Sequence, residues 1–71
     1  GPARTLEKVT KGTALVSGPC RRFWVGTAGT LNFTDYDGNA HTNFPAQVGE
    51  NNVMAQSFEA GGTAADIWAM Y

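Results

Sequence analysis

Cysteine and histidine each occur once in these 71 residues, as Cys20 and His41. One cysteine cannot close an intrachain disulfide, and one cysteine with one histidine cannot supply the ligands of a structural zinc site. Charge is also scarce. Only 15% of the residues are charged, against about 25% in an average protein, and five Lys+Arg nearly cancel six Asp+Glu for a formal net charge of −1. With no block of basic residues and no stacking aromatics interleaved with them, nucleic acid is not an expected partner. No apolar run approaches the ~20 residues that a membrane helix needs, so no membrane partner is expected, and no signal-peptide pattern is visible. The lone free cysteine fits assembly in a cytoplasm. Helical periodicity is missing as well: no stretch of about 11 residues repeats apolar positions at i, i+3, i+4 and i+7.

What these absences leave is a small domain without staples. A chain of this length buries only about 60% of the surface its unfolded form exposes. Disulfides, metal and oligomerisation are the usual compensations, and the first two are excluded. Oligomerisation is therefore expected. Gly1-Pro2 matches the remnant left by a tag-removing protease. Residues 3–12 read as a solvated N-terminal segment, and they carry Arg4, Lys8 and Lys11, three of the five basic residues. Residues 13–71 read as a single β-domain.

Gly, Pro and Asn punctuate the chain every few residues, with β-branched and aromatic residues between, which is the texture of an all-β domain. Six short strands are predicted. They are Thr13 to Val16, Arg21 to Thr27, Thr30 to Tyr36, Asn39 to Phe44, Val53 to Ala60 and Ala65 to Tyr71. Successive side chains of a strand point to opposite faces. In the second strand Arg22, Trp24 and Gly26 share one face, with Val25 on the other. In the third, Leu31 and Phe33 oppose Thr30, Asn32, Thr34 and Tyr36. In the fifth, Val53, Ala55, Ser57 and Glu59 oppose Met54, Gln56, Phe58 and Ala60. Asp37-Gly38 predicts a type I′ hairpin turn, with positive φ at both central residues, and Pro45 is expected to stop the returning strand. In the last strand Ile67, Ala69 and Tyr71 oppose Trp68 and Met70. Both faces are apolar, so one should meet the domain's own core and the other a neighbouring subunit.

Catalysis finds little footing. His41 has no second His or Cys near it in sequence and reads as a surface residue. Asp35 and Asp37 share a strand face but flank a turn, where Asp is favoured for its own hydrogen bonding. A glycosidase pair needs a cleft with carboxylates roughly 5 to 9.5 Å apart, for which a chain of this size has little room. Cys20 precedes Arg21 and Arg22, which would lower a thiol pKa; the alternative is a small residue at a strand start. Gly26-Thr27-Ala28-Gly29 superficially resembles a phosphate loop, but no helix pattern follows it. No catalytic, metal or cofactor site is expected. Trp24, Trp68, Tyr36 and Tyr71 fit either a sugar-stacking platform or subunit packing.

Arg22-Phe23-Trp24-Val25-Gly26-Thr27-Ala28-Gly29, then Asp37-Gly38 and Phe44-Pro45, and finally Gly61-Gly62-Thr63-Ala64-Ala65-Asp66-Ile67-Trp68-Ala69-Met70-Tyr71, resemble in order a family of small tailed-phage virion proteins. That family includes the head-spike base proteins of phages and of gene transfer agents. The resemblance covers residues 18–71. A basic run that often precedes the final Gly-Thr segment in that family is replaced here by Asn52-Val53-Met54-Ala55-Gln56-Ser57-Phe58, so any contact that run makes would differ.

The resulting expectation is an all-β domain, a small antiparallel sandwich or flattened barrel of about six strands. The resemblance implies a non-enzymatic virion component, a spike or fibre base or attachment piece, assembled in the bacterial host cytoplasm. Its expected partners are itself, as a trimer or pentamer, and other virion proteins. Trp24, Phe58, Ile67, Trp68, Met70 and Tyr71 are the expected subunit-interface residues. The alternative from another class is a carbohydrate-binding adhesin module at a receptor-contacting tip, for which a solvent-facing aromatic patch beside Asp or Asn would speak.

Overall fold

The structure, a computed structural model, describes residues 2–71; Gly1, half of the expected tag remnant, lies outside them. The described residues form eight strands: β1 (Leu6–Lys8), β2 (Thr13–Ala14), β3 (Arg22–Thr27), β4 (Gly29–Asp35), β5 (Ala40–Ala46), β6 (Gly49–Asn51), β7 (Ala55–Phe58) and β8 (Ala65–Met70). Every pairing is antiparallel. The strands make two four-stranded sheets, ordered β1-β8-β3-β6 and β2-β7-β4-β5. First pairs with last, second with seventh, third with sixth and fourth with fifth, which is the nested order of a jelly roll. The expected all-β sandwich is therefore present, with eight strands where six were predicted.

The two additional strands have weak sequence signals. β1 lies in the segment read as solvated: Leu6, Glu7 and Lys8 pair with Met70, Ala69 and Trp68. Hydrogen bonds from Arg4 N to Tyr71 O (2.8 Å) and from Tyr71 N to Thr5 O (2.9 Å) extend that pairing. β6, Gly-Glu-Asn, contains no β-branched residue and forms because β3 offers it a partner through Phe23, Trp24 and Val25. The returning strand β5 does not stop at Pro45. It lies on a sheet edge, where the missing N–H costs no ladder bond, and Pro45 sits opposite Thr30.

The core lies between the sheets. Phe23, Val25, Ile67 and Ala69 face inward from one sheet, and Leu31, Phe33, Ala55 and Phe58 from the other. The Phe23 and Phe58 rings meet edge to face with centroids 5.1 Å apart, and Phe33 and Phe44 do the same at 5.3 Å. Two of the expected interface residues are corrected by this packing. Phe58 is 1% exposed and Ile67 2% exposed within the chain's own core. Ile67 follows the strand alternation onto the face of fully buried Ala69. Phe58 reaches the core because Gln56 is an extra residue in β7: Thr34 pairs with Ser57 but Asp35 with Ala55. That bulge puts Ala55 and Phe58 on the same side, where strict alternation places them on opposite sides. A second irregularity sets Asn32 of β4 against two β5 residues, with Leu31 paired to Phe44 and Phe33 to His41. Asn43 absorbs it at φ 60, and its N–H donates to Asn32 Oδ1 at 2.9 Å.

Gly26-Thr27-Ala28-Gly29 carries the chain from one sheet to the other rather than around a hairpin. It packs against Gly61 to Ala64. Thr30 N donates to Thr63 Oγ1 (2.9 Å), Thr63 N donates back to Thr30 Oγ1 (3.1 Å), and Ala64 N donates to Thr30 O (2.9 Å). A Cβ on Gly29 would fall 2.8 Å from Ala64 N, and one on Gly26 2.8 Å from Asp66 Cβ. Lys11 closes the same corner, its Nζ donating to Gly61 O (3.0 Å) and Ala64 O (2.6 Å). Gly29 thus packs directly on Thr63 and Ala64, and the adjoining Thr30 is hydrogen-bonded to the same two residues.

Candidate interaction surface

The outer faces of the two sheets differ in kind. On the β2-β7-β4-β5 sheet the outward side chains include Thr30, Asn32, Thr34 and Ser57, bonded among themselves and their neighbours. Thr34 Oγ1 and Ser57 Oγ both donate to Glu59 Oε1, at 3.1 and 2.7 Å. On the β1-β8-β3-β6 sheet the outward side chains are apolar and aromatic at the centre. Trp24 is 47% exposed, Trp68 38% and Leu6 58%. With partly buried Met70 they line an open groove of about 310 Å³.

Register explains how these four side chains meet. Inward-facing Phe23 and Val25 force Trp24 outward between them, and inward Ile67 and Ala69 do the same for Trp68 and Met70. Trp24 lies directly opposite Trp68, and Leu6 opposite Met70. Directly opposed side chains on adjacent strands have Cβ atoms about 5 Å apart, which places the two indoles on one patch. Charge flanks this apolar centre. Lys8 Nζ sits 5.0 Å from the Trp68 ring centroid and 3.4 Å from Asp66 Oδ1, and Arg22 Nε lies 3.5 Å from Glu50 Oε2.

Of the six residues expected at an interface, Trp24, Trp68 and Met70 are on this surface. Phe58 and Ile67 are in the core, and Tyr71 is tied into its own chain. Its hydroxyl donates to Gly18 O (2.8 Å) and Glu7 Oε1 (3.2 Å), and burial with the nearby Glu7 carboxylate pushes its pKa well above the ordinary phenol value. Leu6 was missed because it stands in the segment taken as solvated; its alternation with Glu7 is too short to register. Tyr36 lies in the hairpin following β4, on the other sheet, so the aromatic platform consists of two tryptophans rather than four aromatics.

The residues weighed for chemistry each make local contacts. Asp35 caps the hairpin: its Oδ1 accepts from Asp37 N (3.0 Å) and Asn39 N (2.9 Å), and its Oδ2 lies 2.8 Å from His41 Nε2. The imidazole, followed by the Asn39 N–H, holds this carboxyl below the usual carboxylate range. His41 stacks on Phe33 at 5.2 Å. The turn differs from the expected type I′ form. Gly38 alone has positive φ, at 88°, while its N–H bonds Asp35 O and Asp35 N bonds Asn39 O. That is a three-residue loop with a left-handed glycine, the next commonest hairpin connection. Cys20 is buried, and burial pushes its thiol up, the reverse of activation by the adjacent arginines. Among the described residues no three His, Cys, Asp or Glu side chains are grouped to hold a metal ion, and no helix is long and apolar enough to cross a membrane.

The chain matches no family model, no curated protein and no solved structure.

Proposed function

We propose that this chain is a non-enzymatic structural module of a bacteriophage-type virion, a spike or fibre base or attachment component that works as a homo-oligomer. In this reading it assembles in the host cytoplasm, contacts other virion proteins, and covers its apolar face with its own copies. The observation that carries it is the outer face of the β1-β8-β3-β6 sheet, where Leu6, Trp24, Trp68 and Met70 form one contiguous apolar surface. Such a patch on a small domain marks a partner surface, and closed symmetry is the usual way for identical subunits to cover one. The virion assignment is supported by the sequence resemblance over residues 18–71. Light scattering tests the assembly: a multiple of the 7.5 kDa chain mass is expected, and a monomer at high micromolar concentration overturns it. Mass spectrometry of purified particles from the encoding strain tests the location.

The second reading, a carbohydrate-binding module, is favoured by one specific feature. Trp24 and Trp68 face solvent side by side, with Asp66 and Glu50 nearby to accept sugar hydroxyls. Jelly rolls serve in both capsid and lectin domains, so architecture does not separate the two readings. A glycan array does. Binding that is lost on Trp68→Ala, in a protein that stays monomeric, selects the second.

A further inference from the structure

The outward residues of the apolar face lie in rows across the sheet. Lys8 pairs with Trp68, Trp68 with Trp24, and Trp24 with Glu50. The central row therefore reads cation, indole, indole, anion from one sheet edge to the other. The next row reads Leu6, Met70, Arg22. A row with opposite charges at its two ends and like groups at its centre is complementary to its own reverse.

We infer that this face pairs with the same face of a second copy, about a two-fold axis running along the strands between β8 and β3. This deepens, and rests on, the proposed self-assembly. Rotation about that axis reverses each row. Trp68 of one copy then lies over Trp24 of the other, Lys8 over Glu50 at both ends, and Met70 over the Arg22 stem. The alternative in-plane axis, across the strands, would stack Lys8 on Lys8 and Glu50 on Glu50, and like charges in register are costly. Either axis keeps the strands of the stacked sheets aligned, one of the two ways in which sheets pack face to face, so the charges decide between them. Four strands at about 4.8 Å spacing give a face about 19 Å wide. Each copy then contributes several hundred square ångströms, at the low end of specific interfaces.

Charge reversal tests the pairing without touching the core. Lys8 and Glu50 are both exposed, so K8E and E50K should keep the fold, checked by circular dichroism. Sedimentation and light scattering of the wild type up to high micromolar concentration should reach twice the mass of one chain. K8E and E50K should each weaken self-association at least about tenfold. Mixed one to one they should pair again near wild-type strength, because both ends of the mixed pair then carry opposite charges. A trimer or pentamer mass, or variants that fail to pair on mixing, overturns the two-fold arrangement and leaves self-assembly standing. A wild-type monomer throughout overturns both.

Discussion

Glu7 fastens the loop after β2 to the sheet carrying β8, beside the Tyr71 hydroxyl that donates to Gly18 O. Its carboxylate accepts from Val16 N (2.9 Å) and Ser17 N (3.0 Å) as well as from the Tyr71 hydroxyl. Hydrogen bonds to the charged form lower a carboxyl pKa, and the two backbone N–H groups hold Glu7 below its usual 4.5. A group depressed in the folded state contributes stability above its unfolded pKa and loses it as pH falls through the folded value. Melting temperature should therefore drop on acidification below about pH 4.5, and Glu7→Gln should flatten that drop while lowering the melting temperature at pH 7. An unchanged acid limb in the variant would assign the loss to other carboxylates, Asp35 first. Gly29 is a second residue with no substitute. Gly29→Ala puts its Cβ against the backbone at Ala64, and an overpacked site of this kind costs about 1–3 kcal/mol, measurable by urea titration.

At the scale of elements, the turn between β4 and β5 depends on the left-handed Gly38. Gly38→Val should cost about 1 kcal/mol or more, since a β-branched residue is strained there; a neutral result by chemical denaturation would move the turn elsewhere. This hairpin, β3, β4 and β8 were legible in the sequence because their alternation is regular: Leu31 and Phe33 inward, Thr30 and Asn32 outward, Trp68 and Met70 opposite Ile67 and Ala69. The rest was hidden for definite reasons. β6 carries no strand-favouring residue and exists through its partner. Phe58 was assigned to the wrong face because a single inserted residue, Gln56, reverses parity without leaving a Gly or Pro to mark it. Arg22 to Phe33 gives two strand patterns about Gly26-Thr27-Ala28-Gly29, but nothing local says that the two strands enter different sheets. That is decided by Thr63 and Ala64, which hold Thr30 from more than thirty positions away in the chain.

The whole molecule is two-faced, polar over one sheet and apolar over the other, and the candidate site was half legible for that reason. Trp24, Trp68 and Met70 could be placed on an outward face by alternation, whereas which apolar face is the core depends on the second sheet. A pair of substitutions separates core from surface. Phe58→Ala should destabilise the single chain by about 3–5 kcal/mol, as truncation of a buried aromatic does. Trp68→Ala should leave the single chain folded, while weakening self-association by about 2 kcal/mol or more, the scale of an interface anchor. Thermal melts beside sedimentation read the two effects apart. Equal loss of folding in both variants would mean that Trp68 serves the fold and not a partner.

The nested pairing of first strand with last, second with seventh, third with sixth and fourth with fifth also sets an order in time. Closing a short loop costs less entropy than closing a long one, and among the described residues the β4–β5 hairpin is the only pairing between consecutive strands. Once it forms, the flanking segments that become β3 and β6 are already close, then those of β2 and β7, then those of β1 and β8. The molecule can zip outward from its hairpin, each step shortening the next. Rate measurements on substitutions should show Phe33 and Phe44 affecting the folding limb and Leu6 only the unfolding limb. The groove lined by Leu6, Trp24, Trp68 and Met70 would then be the last surface to exist, so no partner could engage it before the fold beneath it was complete.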